Sequence, residues 1–170
     1  MNGRSSQPPG RAPASRGSSN RVLGGVLLGA VLLLFSTDLP IDELLASQNQ
    51  FDYKLVTGAL LWVYVAFQWL LAFARIEGMN KIAKFLFVPH QTLGVLGPVF
   101  FYAHAARWGF GYLLALSGVF FANLALGLCQ PRSAPRARRL LPIWLVIHIA
   151  LSIVLVVLAG YHTWQAFYYE

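Results

Sequence analysis

The chain holds four histidines, His90, His104, His148 and His162, and they fall into two pairs with the same spacing of fourteen residues. Both pairs lie in stretches apolar enough for a lipid bilayer: PHQTLGVLGPVFFYAHAAR, from Pro89 to Arg107, and LPIWLVIHIALSIVLVVLAGYHTW, from Leu141 to Trp164. On a helix, fourteen steps of ~100° come within about 40° of whole turns, so both imidazoles of a pair face one side. The rise between them is ~21 Å, which sets one imidazole toward each face of a hydrocarbon core ~30 Å thick. Two facing helices with two levels of paired imidazole are what a membrane protein needs to hold two hemes, each iron taking one axial imidazole from each helix. Ionisable groups inside a membrane are functional by default, but a proton relay, a metal path and interhelical packing are the competing uses. A single zinc ion fits poorly, because levels ~21 Å apart cannot share it.

The elements that must carry these residues follow from composition. Of 170 residues, 57% are hydrophobic and 11% are charged. A soluble domain carries roughly 25% charged residues, so the expected class is all-α: an integral membrane helical bundle. The net charge of +7 does not point to nucleic acid, because the charges cluster at the ends of apolar runs. The one cysteine, Cys129, excludes an intrachain disulfide and a cysteine-ligated iron–sulfur or zinc site.

Residues 1–20 are rich in Ser, Pro, Gly and Arg and read as a disordered basic tail; residues 21–170 read as the bundle. Arg4, Arg11, Arg16 and Arg21 precede the first apolar run and mark a cytoplasmic flank. The first span is expected at about Val22 to Pro40. Its uncharged core, Val22 to Phe35, is short, and a cleaved signal peptide is the competing reading. No small-x-small cleavage site follows it, so a retained helix is expected. The next loop carries Asp38, Asp42, Glu43 and Asp52 without Lys or Arg and reads as external, with IDELLASQ as a short surface helix.

Further spans are expected at about Leu55 to Phe73, Phe85 to Ala106, Tyr112 to Cys129 and Leu141 to Trp164. Gln68 and Asn123 fall inside two of them and are expected to find interhelical partners. Arg75, Lys81 and Lys84 against Glu77, and then Arg132, Arg136, Arg138 and Arg139, mark the two loops between these spans as cytoplasmic. Every loop agrees with five transmembrane helices, the N-terminus inside and the C-terminus outside. The aromatics Trp108, Tyr112, Tyr161, Trp164, Tyr168 and Tyr169 then gather near the external interface.

In this topology the third and fifth spans run the same way. His90 pairs with His148 at the inner level and His104 with His162 at the outer level. Gly94, Gly97 and Phe101 share the face of the first pair, and Ser152, Leu155 and Ala159 that of the second. Gly94 and Gly97 leave room either for a porphyrin or for close helix packing. Arg107, one turn beyond His104, could meet a carboxylate of an outer heme, with Lys84 and Arg139 as inner candidates; interface anchoring is the ordinary use of all three.

The run His90-Gln91-Thr92-Leu93-Gly94, a second histidine at His104, a span of small residues, the basic loop Gln130 to Arg139, and a final helix with His148 and Tyr161-His162 resemble the ferric reductase-like transmembrane domain family. That family includes ferric-chelate reductases, the membrane part of NADPH oxidases, and the heme-binding subunit of bacterial methionine sulfoxide reductase systems. The resemblance covers about Thr57 to Glu170. It implies b-type hemes held by His90, His104, His148 and His162, and a role as the electron-transfer subunit of an oxidoreductase. The flavin and nicotinamide domain of ferric reductases is not expected here, since Gly109-Phe-Gly111 lacks the third glycine of a dinucleotide fingerprint and follows no soluble strand. The electron donor is then expected to be a separate reductase, through its flavin, or a membrane quinol, with an external acceptor. The alternatives are a heme-free membrane scaffold or proton-path subunit, and a quinone-linked cytochrome b anchor of a dehydrogenase. Short loops and bare spans fit a bacterial inner membrane.

Overall fold

The structure, a computed structural model, describes residues 16–37, 42–105, 107–131 and 135–169, with the side chains of 16–18 and 135–138 excepted. The N-terminal tail to residue 15, Asp38, Pro40 and Arg132 therefore lie outside the described residues, as do the side chains of Arg16, Arg136 and Arg138. Six helices follow in order: α1 (Arg16–Thr37), α2 (Asp42–Gln48), α3 (Phe51–Ile76), α4 (Asn80–His104), α5 (Tyr112–Leu128) and α6 (Pro135–Tyr168). No strand occurs among the described residues, whose regular structure is all helical.

Among the described residues, four helices are long and apolar enough to cross a membrane: α1 from Ser19, α3, α4, and α6 from Arg139. Helix α5 is equally apolar but has 17 residues. In lipid a helix satisfies its own backbone and needs no buried flank to persist. The outward faces show this, since Val63 is 67% exposed, Phe85 75% and Val157 64%. Such a continuous apolar exterior would aggregate in water, and the molecule is a membrane protein.

The protein core is correspondingly small. Val31 and Phe35 of α1, Tyr64 of α3, Phe101 of α4, Phe120 and Phe121 of α5 and Leu155 of α6 form it. Its aromatic rings pack edge-on or tilted at centroid distances of 4.8 Å (Phe101 to Phe120) to 6.0 Å (Phe35 to Phe101). Helix α4 is central, packing on α3, α1 and α5, while α6 packs on α5. Helices α4 and α6 do not pack closely on each other. Gly97 shows how tight the α4 contacts are, because a Cβ there would come within 2.6 Å of the Tyr64 hydroxyl and 2.8 Å of Leu124 Cδ2.

The turns are set locally. Gly78 (φ 67°) lets the chain reverse between α3 and α4, and Gly111 (φ 59°, ψ −125°) starts α5 in a conformation that side chains disfavour. Helix α2 lies across the end of α4. Its Gln48 amide donates to the Tyr102 and Ala103 carbonyls at 2.8 and 3.1 Å, and the Tyr53 hydroxyl donates to Ala103 at 3.0 Å. These bonds satisfy carbonyls that the last turn of α4 leaves without helical partners, and that turn ends on His104.

Candidate functional site

The gap between α4 and α6 is bridged by imidazoles. His90 meets His148 with ring centroids 6.5 Å apart and planes at 88°. His104 meets His162 at 6.2 Å and 77°. Like levels pair with like, so α4 and α6 run in the same direction. The separations exceed ring contact. Two imidazoles on opposite sides of one metal ion, each ~2 Å from it, would have centroids about 6 Å apart, and planes that share only that axis are free to be perpendicular. Among the described residues no three His, Cys, Asp or Glu side chains converge, and the histidines stand in pairs.

At the His90 level a cavity of about 410 Å³ opens between the helices. Gly94, Ser152 and Leu155 line it beside His90 and His148. A Cβ at Gly94 would meet nothing within 4 Å, so this glycine faces space, whereas Gly97 is taken up in packing against Tyr64 and Leu124. Four buried polar atoms here have no hydrogen-bond partner of ordinary geometry: His90 Nδ1, His148 Nδ1, Gln68 Nε2 and Asn123 Oδ1. The Gln68 backbone lies near the His90 ring. Buried polar groups are normally satisfied, so this concentration beside a cavity fits a site shaped for a bound group. The expectation for Gln68 changes accordingly: its side-chain nitrogen has no interhelical partner and lies at the cavity. Asn123 does find one, donating to Ser152 Oγ at 3.0 Å, while Ser152 donates to the His148 carbonyl at 2.8 Å.

His148 is further held by Trp144, whose ring stacks on it at 5.2 Å and 12° and whose indole N–H donates to the Leu126 carbonyl at 2.8 Å. Arg75 and Arg21 both line the cavity, and Arg21 also donates to the Gln130 carbonyl. Lys84 and Arg139 are exposed and do not line this cavity, and Arg107 is exposed beyond His104. Charge alone could not single out Arg75, because the sequence offers several cations near the same level.

The His104 level is built differently. His104 Nδ1 lies 3.0 Å from Thr57 Oγ1, and His162 Nδ1 lies 3.4 Å from the Tyr112 hydroxyl. Gly58 sits against the His104 ring, where a Cβ would come within 3.3 Å of Cε1. Across the bundle, the Trp62 indole donates to Thr163 Oγ1 at 2.9 Å and ties α3 to α6 one residue from His162. Thr57 and Tyr112 were not foreseen as histidine partners, since each comes from another helix and no spacing rule links it to a histidine, whereas Trp144 stands four residues before His148 on α6, a same-face spacing that the sequence does carry.

Comparison of the chain with protein-family models, with curated proteins and with solved structures finds no match. The chemistry of the site therefore rests on its own residues.

Proposed function

We propose that this chain is a di-heme b-type membrane cytochrome, the membrane subunit of a redox system of the ferric reductase-like kind. One observation carries the reading: two imidazole pairs with nearly equal ring separations, 6.5 and 6.2 Å, on parallel helices, at levels ~21 Å apart by helical rise. His90 and His148 would hold an inner b-type heme, and His104 and His162 an outer one. The unpartnered polar atoms and the open face of Gly94 support the inner site. Arg75, which lines the cavity as Lys84 and Arg139 do not, is the better placed partner for heme carboxylates there. Arg107 is the corresponding candidate at the outer level.

The hemes supply one-electron chemistry; the protein supplies ligands, orientation and a low-dielectric surrounding that tunes potential. The topology that goes with this has five spans, the N-terminus inside and the C-terminus outside. At 17 residues α5 is ~25 Å long, the short end of what a bilayer accepts. With the cytoplasm negative, moving one electron outward is favoured by ~2.3 kcal/mol per 100 mV, so the flow runs from a cytoplasmic reductase or a quinol to an external acceptor. A bacterial inner membrane is the setting that the short loops fit.

The test is a dithionite-reduced minus air-oxidised absorption spectrum of the purified full chain, with heme counted per chain. A b-type signal at two hemes per chain is the expected result. A colourless protein after expression with ample heme would overturn it and favour a heme-free scaffold or proton path.

A further inference from the structure

The Thr57 hydroxyl has one proton and two lone pairs. Its oxygen lies 2.7 Å from the Tyr53 carbonyl oxygen, one turn back on α3, and 3.0 Å from His104 Nδ1 on α4. A third neighbour, the Lys54 carbonyl, is at 3.3 Å. Two oxygens at 2.7 Å are at an ordinary O–H···O distance only if a proton lies between them, and a carbonyl has none to give. The Thr57 proton is therefore spent on its own helix. The oxygen can then meet His104 only as an acceptor, and Nδ1 must bring the hydrogen.

We propose that Thr57 is a positioning residue that fixes His104 as the Nδ1–H tautomer and leaves the Nε2 lone pair as the one available to a metal. The ring is held from two further sides. Gly58, the next residue on α3, fits against its edge, and Gln48 and Tyr53 hold the carbonyls of the α4 turn on which it stands. Metal-bound histidines commonly donate their other N–H in this way, which orients the ring and raises its basicity. The tautomer assignment stands on hydrogen bookkeeping alone, while its consequence for an axial ligand rests on the di-heme reading.

The two parts are tested separately on the full-length protein in detergent. In heme-free protein labelled with ¹⁵N-histidine, long-range ¹H–¹⁵N correlations should show His104 protonated on Nδ1. Thr57→Val, which keeps shape and removes the acceptor, should convert a large share to Nε2–H, and Thr57→Ser should restore the original pattern. His104 protonated on Nε2 in the wild type, or a Thr57→Val spectrum identical to it, would overturn the tautomer assignment. In heme-loaded protein, Thr57→Val should weaken retention of the heme at His104 about ten- to a hundredfold and raise its midpoint potential. Thr57→Ser should reverse both changes, and the other heme should keep its potential. A tautomer change with retention and potential unaltered would overturn the ligand role. Wild-type protein that never takes up heme would instead remove the functional reading and leave the tautomer decided by the first measurement.

Discussion

At His104 and His162 each Nδ1 faces a hydroxyl, Thr57 at 3.0 Å and Tyr112 at 3.4 Å. At His90 and His148 neither Nδ1 has a partner of ordinary geometry, and about 410 Å³ of space adjoins the rings. The two pairs nevertheless share nearly the same ring separation. The first pair is arranged by neighbouring side chains before anything binds. The second leaves buried polar atoms without a partner of ordinary geometry, so its ring orientations are less constrained by neighbouring side chains. One level is held by neighbouring hydroxyls and the other adjoins open space, so perturbations should act on them unequally.

On the di-heme reading, the sharpest separation comes from removing one histidine at a time. His148→Ala should abolish one of two components in a redox titration of the heme absorbance and leave the other, and His162→Ala should abolish the opposite one. Loss of both components from either variant would break the picture of two independent levels.

The next contrast lies within one helix. Gly94→Phe places a ring in open space and should block the heme at His90 and His148, with helical content in circular dichroism and the other heme unchanged. Gly97→Ala drives a methyl to within 2.6 Å of the Tyr64 hydroxyl and 2.8 Å of Leu124 Cδ2. It should cost about 1–3 kcal/mol of fold stability, seen as a lower denaturation midpoint in detergent, without selecting either heme. Global unfolding of Gly94→Phe would show that the space is needed for packing after all.

The smallest effect is expected at Gln48→Ala, which strips an amide from the Tyr102 and Ala103 carbonyls. The cost should be about 1 kcal/mol. Heme loss to an apomyoglobin trap should quicken at His104 and His162 only, and equal quickening at both levels would erase the proposed asymmetry.

The helices and the histidine register were legible because both obey a period. Apolar runs marked each long helix, and a fourteen-residue spacing brings an imidazole back to the same face. The ends were less legible. Helix α3 begins at Phe51, ahead of the expected Leu55, because Asp52 and Lys54 continue the helix past the apolar segment. Helix α6 likewise runs from Pro135 rather than Leu141. Hydropathy marks where lipid solvates a helix, not where its hydrogen bonding stops. The residues that distinguish the two levels were illegible for another reason. Thr57 reaches His104 from 47 positions away, and Gln48 reaches Tyr102 from 54. Such pairings follow from how α2 and α3 dock on α4, and no local pattern encodes them.

The separation of α4 from α6 also bears on how the molecule is made. Chains grow from the N-terminus, so α4 with His90 and His104 is made before α6 with His148 and His162. Throughout that interval each α4 imidazole faces a groove whose second wall does not yet exist. Both pairs need α6 in place, and α6 is held through its packing on α5 and the Trp62–Thr163 bond. Timing thus resides in chain order: a growing chain can offer one imidazole per level, and a two-sided grip on anything becomes available only once the final helix is in place.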